Sequence, residues 1–270
     1  MAQQNAEWLG LTGRVCVVTG AGGGIGRAVA LGMAAAGASV VLLDRDEASC
    51  RVTEEALRPI GARVLAIGCD IADPDSVVAA ERASRTVGPC DILVNNAGML
   101  LPGSLASVTI EDWNRLLSVN LTGYLLCAQA FGRAMVERGR GAIVHIASIA
   151  GSNAQGFSGA YSVSKAGVLM LSRQLAVEWG PHGVRSNVLS PGLVRTPMSE
   201  SFYTTPGVAE RRAAAIPLGR IGTPEDMAHV VMFLASDRAG FVTGQEIIVD
   251  GGLEHMLMSL VPRPGFERGN

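Results

Sequence analysis

The sequence predicts an α/β protein: a parallel, doubly wound sheet of about seven strands, held in three layers between helices. Three observations predict it. Seven short apolar runs alternate with helix-length segments along the chain. Several runs are continuously apolar and β-branched, as in Val40-Val41-Leu42-Leu43, which suits strands covered on both faces. The first run, Val15-Cys16-Val17-Val18, feeds a glycine-rich turn that opens a helix-length segment.

Strands are expected at residues 14–19, 39–44, 63–70, 91–95, 142–148, 185–190 and 246–250. Helices are expected at 24–36, 46–60, 73–87, 109–138, 161–179 and 223–236. Asp73-Pro74 and Thr223-Pro224 each put a capping side chain before a proline suited to a first helical turn. Gly37, Gly61 and Gly88 follow helical stretches as stops. Val168, Leu171, Leu175 and Trp179 share one helical face. Strand–helix alternation with right-handed crossovers makes the sheet parallel. No linker or composition break divides the chain, so one domain is expected over 1–270, with its core at 11–252. Residues 196–212 follow Pro191-Gly192 and contain Pro197 and Pro206, which reads as an irregular lid. Residues 253–270 form a tail with Pro262 and Pro264, whose apolar segment 256–261 is expected to dock on this or another subunit.

Composition bounds the function. Hydrophobic residues make up 48% and charged residues 17% of the 270, as in a globular chain. A net charge of -2 supplies no basic field for nucleic acid and no polybasic patch for a membrane. Five cysteines (16, 50, 69, 90, 127) are odd in number and scattered, as buried thiols in a reducing compartment are. Neither they nor the four histidines (145, 182, 229, 255) have ligand spacing, so no metal is expected. The first eight residues lack the pattern of a signal peptide. The apolar uncharged stretch Ala28 to Leu43 is interrupted by glycines and too short to span a bilayer. A cytoplasmic location follows as the expectation.

One end of the sheet reads as a dinucleotide site. In Thr19–Gly26, glycines let the backbone turn sharply and approach a pyrophosphate, and the next helix aims its amides at the anion. Gly20, Gly24 and Gly26, with Ile25 between the last two, give Thr-Gly-x-x-x-Gly-x-Gly, not the strict dinucleotide fingerprint. Asp44 ends the second run, 24 residues after Gly20, where an acid binds the adenosine ribose diol. Its carboxylate would repel a 2′-phosphate, which favours NAD over NADP. Arg45 beside it could instead attract that phosphate. Asp44 could also cap the following helix. Asp70, ending the third run, can accept from an adenine amino group or simply hold a turn.

The other motif concerns a proton. A phenol titrates near pH ~10 and is a poor base at neutrality unless a cation favours the phenolate. Tyr161 and Lys165 are four residues apart on a predicted helix and share a face. Ser148 follows Ile143-Val144-His145-Ile146-Ala147, at the carboxyl end of a strand, where open α/β sheets place ligands. Its hydroxyl can hold a substrate oxygen. His145 reads as a structural core histidine.

These residues together resemble the short-chain dehydrogenase/reductase family in its single-domain, Rossmann-like branch. The resemblance spans roughly residues 11–252 and rests on Thr19–Gly26, Asp70, Asn95-Asn96-Ala97-Gly98, Asn120, Ser148, Tyr161, Lys165, Pro191-Gly192 and Thr196. It implies that Tyr161 is the general acid/base and that Lys165 lowers its pKa and binds the nicotinamide ribose. It implies that Ser148 orients the substrate oxygen and that Asn120 holds a water in a proton relay to Lys165. Asn96, Ala97 and Gly98 would lie beside the adenosine ribose. Cys69 and Ile71 would flank the adenine beside Asp70. Pro191, Gly192, Val194 and Thr196 would meet the nicotinamide. A homo-oligomer, most often a tetramer, is implied, with the helices at 109–138 and 161–179 pairing between subunits.

The expected reaction is hydride transfer between NAD(H) and a small-molecule alcohol or ketone. Gln155, Phe157, Met198 and Phe202, with Leu100, Leu101, Ile149, Leu193 and Tyr203, are the expected pocket, mostly apolar and suited to a neutral substrate. Arg195, Arg211 and Arg212 could instead bind a carboxylate. Two alternatives stay open: an NADPH-dependent reductase of ketones or 3-oxoacyl thioesters, and a catalytically silent dinucleotide sensor.

Overall fold

A computed structural model describes residues 8–261. Seven parallel strands form one sheet in the order β3-β2-β1-β4-β5-β6-β7. They are β1 (Val15–Thr19), β2 (Ser39–Asp44), β3 (Val64–Gly68), β4 (Ile92–Asn95), β5 (Gly141–Ile146), β6 (Val184–Pro191) and β7 (Glu246–Val249). All seven fall where the sequence expects them. The order reverses between β1 and β4, and the crevice at that switch point is where such sheets bind ligands.

The helices are α1 (Gly24–Ala35), α2 (Glu47–Leu57), α3 (Pro74–Ser84), α4 (Ile110–Leu117), α5 (Gly123–Arg138), α6 (Tyr161–Trp179), α7 (Val208–Ala214) and α8 (Pro224–Ala235). The strands' apolar alternation divides the core into two. Cys16 and Val18 of β1 pack with Val29 and Met33 of α1 and Val231 of α8. Val15 and Val17 pack with Phe131 of α5 and Val168 of α6 on the other face. Each fully buried valine or leucine here contributes about 1.5–3 kcal/mol. The expected caps form. Asp73 accepts from Asp75 N at 3.0 Å, and Thr223 and Asp226 cap α8 reciprocally.

Three expectations are corrected. The helix expected over 109–138 is broken by a π-turn, Ser118–Thr122, which turns Asn120 into the core. The third strand stops at Gly68 because Cys69 and Asp70 enter a turn, Asp70 accepting from Ala72 N at 2.9 Å. The lid is less irregular than its prolines suggest: it holds a turn at Glu200–Tyr203 and the helix α7. Leu253–Leu260 forms a 3₁₀ segment with Leu253 and Met256 half-buried and Leu257, Met258 and Leu260 exposed. The expectations for Pro262, Pro264 and the chain's first residues lie outside the described residues.

Candidate active site

The carboxyl ends of β1, β4, β5 and β6 open into one cavity of about 600 Å³, roofed by the lid. At one end the chain builds it from backbone. Gly20 has φ +66°, a left-handed conformation, and a Cβ there would come within 2.8 Å of Ala97 Cα. A Cβ on Gly26 would stand 2.2 Å from Gly20 O, so only glycine lets α1 sit this close to the turn. Helix α1 begins with no side-chain cap and no acid in its first turn, so its amide end is open toward the cavity. Buried Thr19 ties this turn to the next one: its Oγ1 accepts from Asn96 N (2.9 Å) and Ala97 N (3.0 Å), and Asn96 Nδ2 donates to Thr19 O and Gly20 O. Asp44 lines the cavity and accepts from Gly22 N and Asp46 N, each at 3.1 Å. The residue capping α2 is Asp46 rather than Asp44.

At the other end side chains dominate. Ser148 Oγ accepts from Ala150 N at 3.1 Å, which fixes it at the end of β5. Tyr161 opens α6, and Lys165 lies one turn on, 3% exposed. Lys165 Nζ donates to Ile146 O at 2.8 Å and stands 5.7 Å from the Tyr161 ring centre. Burial pushes the Lys165 ammonium down to about 7. Burial also raises the Tyr161 phenol above its ordinary value, and the Ser148 hydroxyl pulls it back part of the way. Desolvation is the larger of these two effects, so the phenol stays above its ordinary value.

Asn120 is fully buried and already engaged. Its Oδ1 accepts from Met99 N (2.8 Å), and its Nδ2 donates to Met99 O (2.9 Å) and Ser164 Oγ (3.2 Å). It stays close to the lysine: a Cβ on Gly98 would lie 3.5 Å from Asn120 Oδ1 and 3.7 Å from Lys165 Nζ. Behind the site His145 is held near 3 by burial, and its ring bridges Asn95 and Ser186, a structural role as expected.

The cavity gathers most of the expected site. Gly20, Gly24, Ile25, Asp44, Asn96, Ala97, Gly98, Ser148, Gln155, Tyr161, Lys165, Pro191, Gly192, Val194, Thr196, Met198 and Phe202 all line it. Eight expected residues do not, Leu101 among them. Gly26 and Asn120 stand behind the wall as supports. Arg45 is exposed beside it. Cys69 and Ile71 are buried in the core, Ile71 against Gly123, and Asp70 is spent on its own turn. Phe157 is 81% exposed with φ +58° and turns away from the pocket. Sequence reasoning missed Tyr124, and the side-chain role of Thr19, the first residue of the glycine motif, needs the β1–β4 pairing to be seen. The Tyr124 phenol donates to Ile146 O at 3.1 Å, the carbonyl that also holds Lys165. No spacing signal marks Tyr124.

Residues 20–254 match a family model described as enoyl-(acyl carrier protein) reductase. Among curated proteins the chain is 39% identical over 245 residues to a galactitol 2-dehydrogenase (L-tagatose-forming) of Cereibacter sphaeroides, covering 90% of this chain and 95% of the relative. It is 42% identical over 241 residues to a cis-4-hydroxycyclohexanecarboxylate dehydrogenase of Sinomonas cyclohexanicum, covering 88% and 96%. Among solved structures it superposes, with TM-score 0.86 and 34% identity over 90% of this chain and 96% of the other, on a gluconate 5-dehydrogenase from Burkholderia cenocepacia J2315 in complex with NADP and tartrate.

Proposed function

The chain belongs to the short-chain dehydrogenase/reductase family, an oxidoreductase family with a nicotinamide dinucleotide cofactor, and on that premise we propose that it interconverts a secondary alcohol and its ketone using NAD(H). The observation that carries the proposal is one cavity with an uncapped helix end, a carboxylate and a Ser-Tyr-Lys set, its lysine buried, on its walls. The fit to a dinucleotide is steric and electrostatic: the turn at Gly20 and Gly26 leaves no room for side chains, and the open amides of α1 suit a pyrophosphate.

The bound nicotinamide would accept or supply the hydride. The remaining steps belong to the chain. Ser148 Oγ holds the substrate oxygen and Tyr161 Oη removes its proton. Lys165, near 7, exchanges a proton close to neutrality. As Tyr161 ionises, the adjacent ammonium is stabilised in turn, so the pair titrates together. Asn120 holds the Met99 backbone and would seat a water relaying a proton to Lys165, a role supported by the approach of both side chains to Gly98. Pro191, Gly192, Val194 and Thr196 form the wall beneath the lid against which a nicotinamide would rest.

Asp44 supports NAD over NADP. Its carboxylate faces the cavity, and Arg45, the cation that could reverse that preference, is outside the wall. Isothermal titration with NAD(H) and NADP(H) tests this: NAD(H) binds more tightly to the wild type, and Asp44→Ala weakens it by roughly tenfold. Tighter NADPH binding would reverse the cofactor assignment and point to a ketone reductase.

The enzyme is further proposed to act as a single-domain cytoplasmic homotetramer. No helix among the described residues is long and apolar enough to cross a membrane. Val163, Met170 and Val177 are exposed at seven-residue spacing along α6, which suits helix pairing between copies. A monomeric mass in light scattering would contradict the tetramer.

A further inference from the structure

The cavity walls carry three formally charged side chains: Asp44 at the dinucleotide end, Lys165 beside Tyr161, and Arg212 under the lid. Arg212 differs from the other two in having nothing to satisfy it. Asp44 accepts two backbone amides and Lys165 donates to a carbonyl. Among the described residues Arg212 has no ion pair and no side-chain hydrogen bond, although it is half-buried. Arg195, another lid arginine, contrasts with it, since it is paired with Glu200 and does not line the cavity. Arg211, the neighbour on α7, is exposed and does not line the cavity.

The guanidinium is nevertheless held in place. Its centre lies 5.0 Å from the Phe202 ring and 5.1 Å from the Tyr203 ring, both within cation–π range. Aromatic rings stack on the faces of a guanidinium and leave its N–H edge free, and that edge matches the two oxygens of a carboxylate. A second donor belongs to one of these rings. The Tyr203 hydroxyl is buried and has no partner among the described residues, an arrangement that a native protein rarely leaves without a ligand or water to meet it. Around these two donors the wall is apolar, with Leu100, Ile149, Met198 and Phe202.

We infer that the substrate of the proposed reaction is a hydroxy acid. Its secondary alcohol lies at Ser148 and Tyr161, its body is apolar, and its carboxylate accepts from the Arg212 guanidinium edge and the Tyr203 hydroxyl. This rests on the alcohol dehydrogenase reading and narrows it, replacing the neutral substrate that the apolar lining alone suggests. Arg212 and Tyr203 select the substrate and anchor it, and they take no part in the proton or hydride steps.

The test is a panel of hydroxy acids paired with their methyl esters, for example 4-hydroxycyclohexanecarboxylate and 3-hydroxybutyrate, assayed by NAD(P)H formation. The acid is expected to exceed its ester in kcat/KM by at least about tenfold, carried mainly by KM. Arg212→Gln brings the acid-to-ester ratio close to one, and Arg212→Lys recovers part of it, because a point charge lacks the bidentate edge. Tyr203→Phe keeps the ring and lowers the ratio by a smaller factor, roughly threefold to tenfold. Arg211→Gln leaves the ratio within about twofold. Acids and esters turned over equally, or an acid preference unchanged in both Arg212 variants, would overturn the inference and leave the dehydrogenase reading standing. Turnover of neutral alcohols but of no acid would do the same. No turnover of either class with NAD or NADP would overturn both readings.

Discussion

The two ends of the cavity are made of different material. The dinucleotide end is backbone: a left-handed Gly20, a Gly26 with no space for a Cβ, and an α1 that begins without a cap. The lid end is side chains on a segment outside the sheet, with Arg212 held by aromatic rings and Arg195 by an exposed glutamate. Backbone geometry tolerates almost no substitution. Side-chain anchoring can be changed one residue at a time. A shared cofactor and a private substrate call for this division, since the first end must keep its shape while the second varies.

Gly26→Ala breaks the comparison where it is strongest. The new methyl meets Gly20 O, a backbone atom that cannot move aside, so both the fold and the cradle are disturbed. Overpacking of this kind costs about 1–3 kcal/mol. Thermal unfolding should show a clear loss of stability, and titration with NAD(H) should show at least roughly tenfold weaker binding. Unchanged affinity would mean that the cradle is not built on that contact.

Between the two ends, Lys165 gives a pH signature. Burial lowers its folded-state pKa to about 7 from an ordinary 10.5. Between those values the unfolded chain binds the extra proton, so this group makes stability rise with pH from about 7 toward 10.5. Below pH ~7 both states hold the proton and the slope vanishes. The difference in melting temperature between wild type and Lys165→Met should therefore shift in favour of the wild type as pH rises through that window. Parallel curves would contradict the burial argument.

The smallest effect is expected at the lid. Arg195 and Glu200 form an ion pair with both side chains more than half exposed. Such pairs are screened and cost side-chain entropy to hold. Arg195→Ala should leave the melting temperature within about 2 °C of wild type. A larger drop would show that the lid is tied to the core more firmly than its contacts indicate.

The same division explains what could be read from sequence. All seven strands were legible because continuous β-branched runs bounded by turns have few other uses, and Tyr161–Trp179 was legible to the residue. The glycine turn was legible because it is contiguous. The π-turn at Ser118–Thr122 was not, since nothing in a helical pattern marks one extra residue per turn, and so the burial of Asn120 against Met99 was hidden. The family resemblance implies a cofactor role for Cys69 and Ile71, and both side chains are buried in the core. The packing of Ile71 on Gly123 depends on the approach of α5, which no local signal reports. Arg212 stood among three candidate arginines, and only the folded lid separates it from exposed Arg211 and paired Arg195.

The most direct test of the proposed chemistry is Tyr161→Phe, assayed for alcohol oxidation with NAD and, separately, for NAD binding. The variant removes the hydroxyl and keeps the ring in its place at the head of α6. The account predicts that cofactor affinity stays within a few-fold of wild type while kcat falls on the order of 10³-fold, the scale of a lost general acid/base. A kcat near wild type would contradict it, because the proton would then travel by a group other than the phenol.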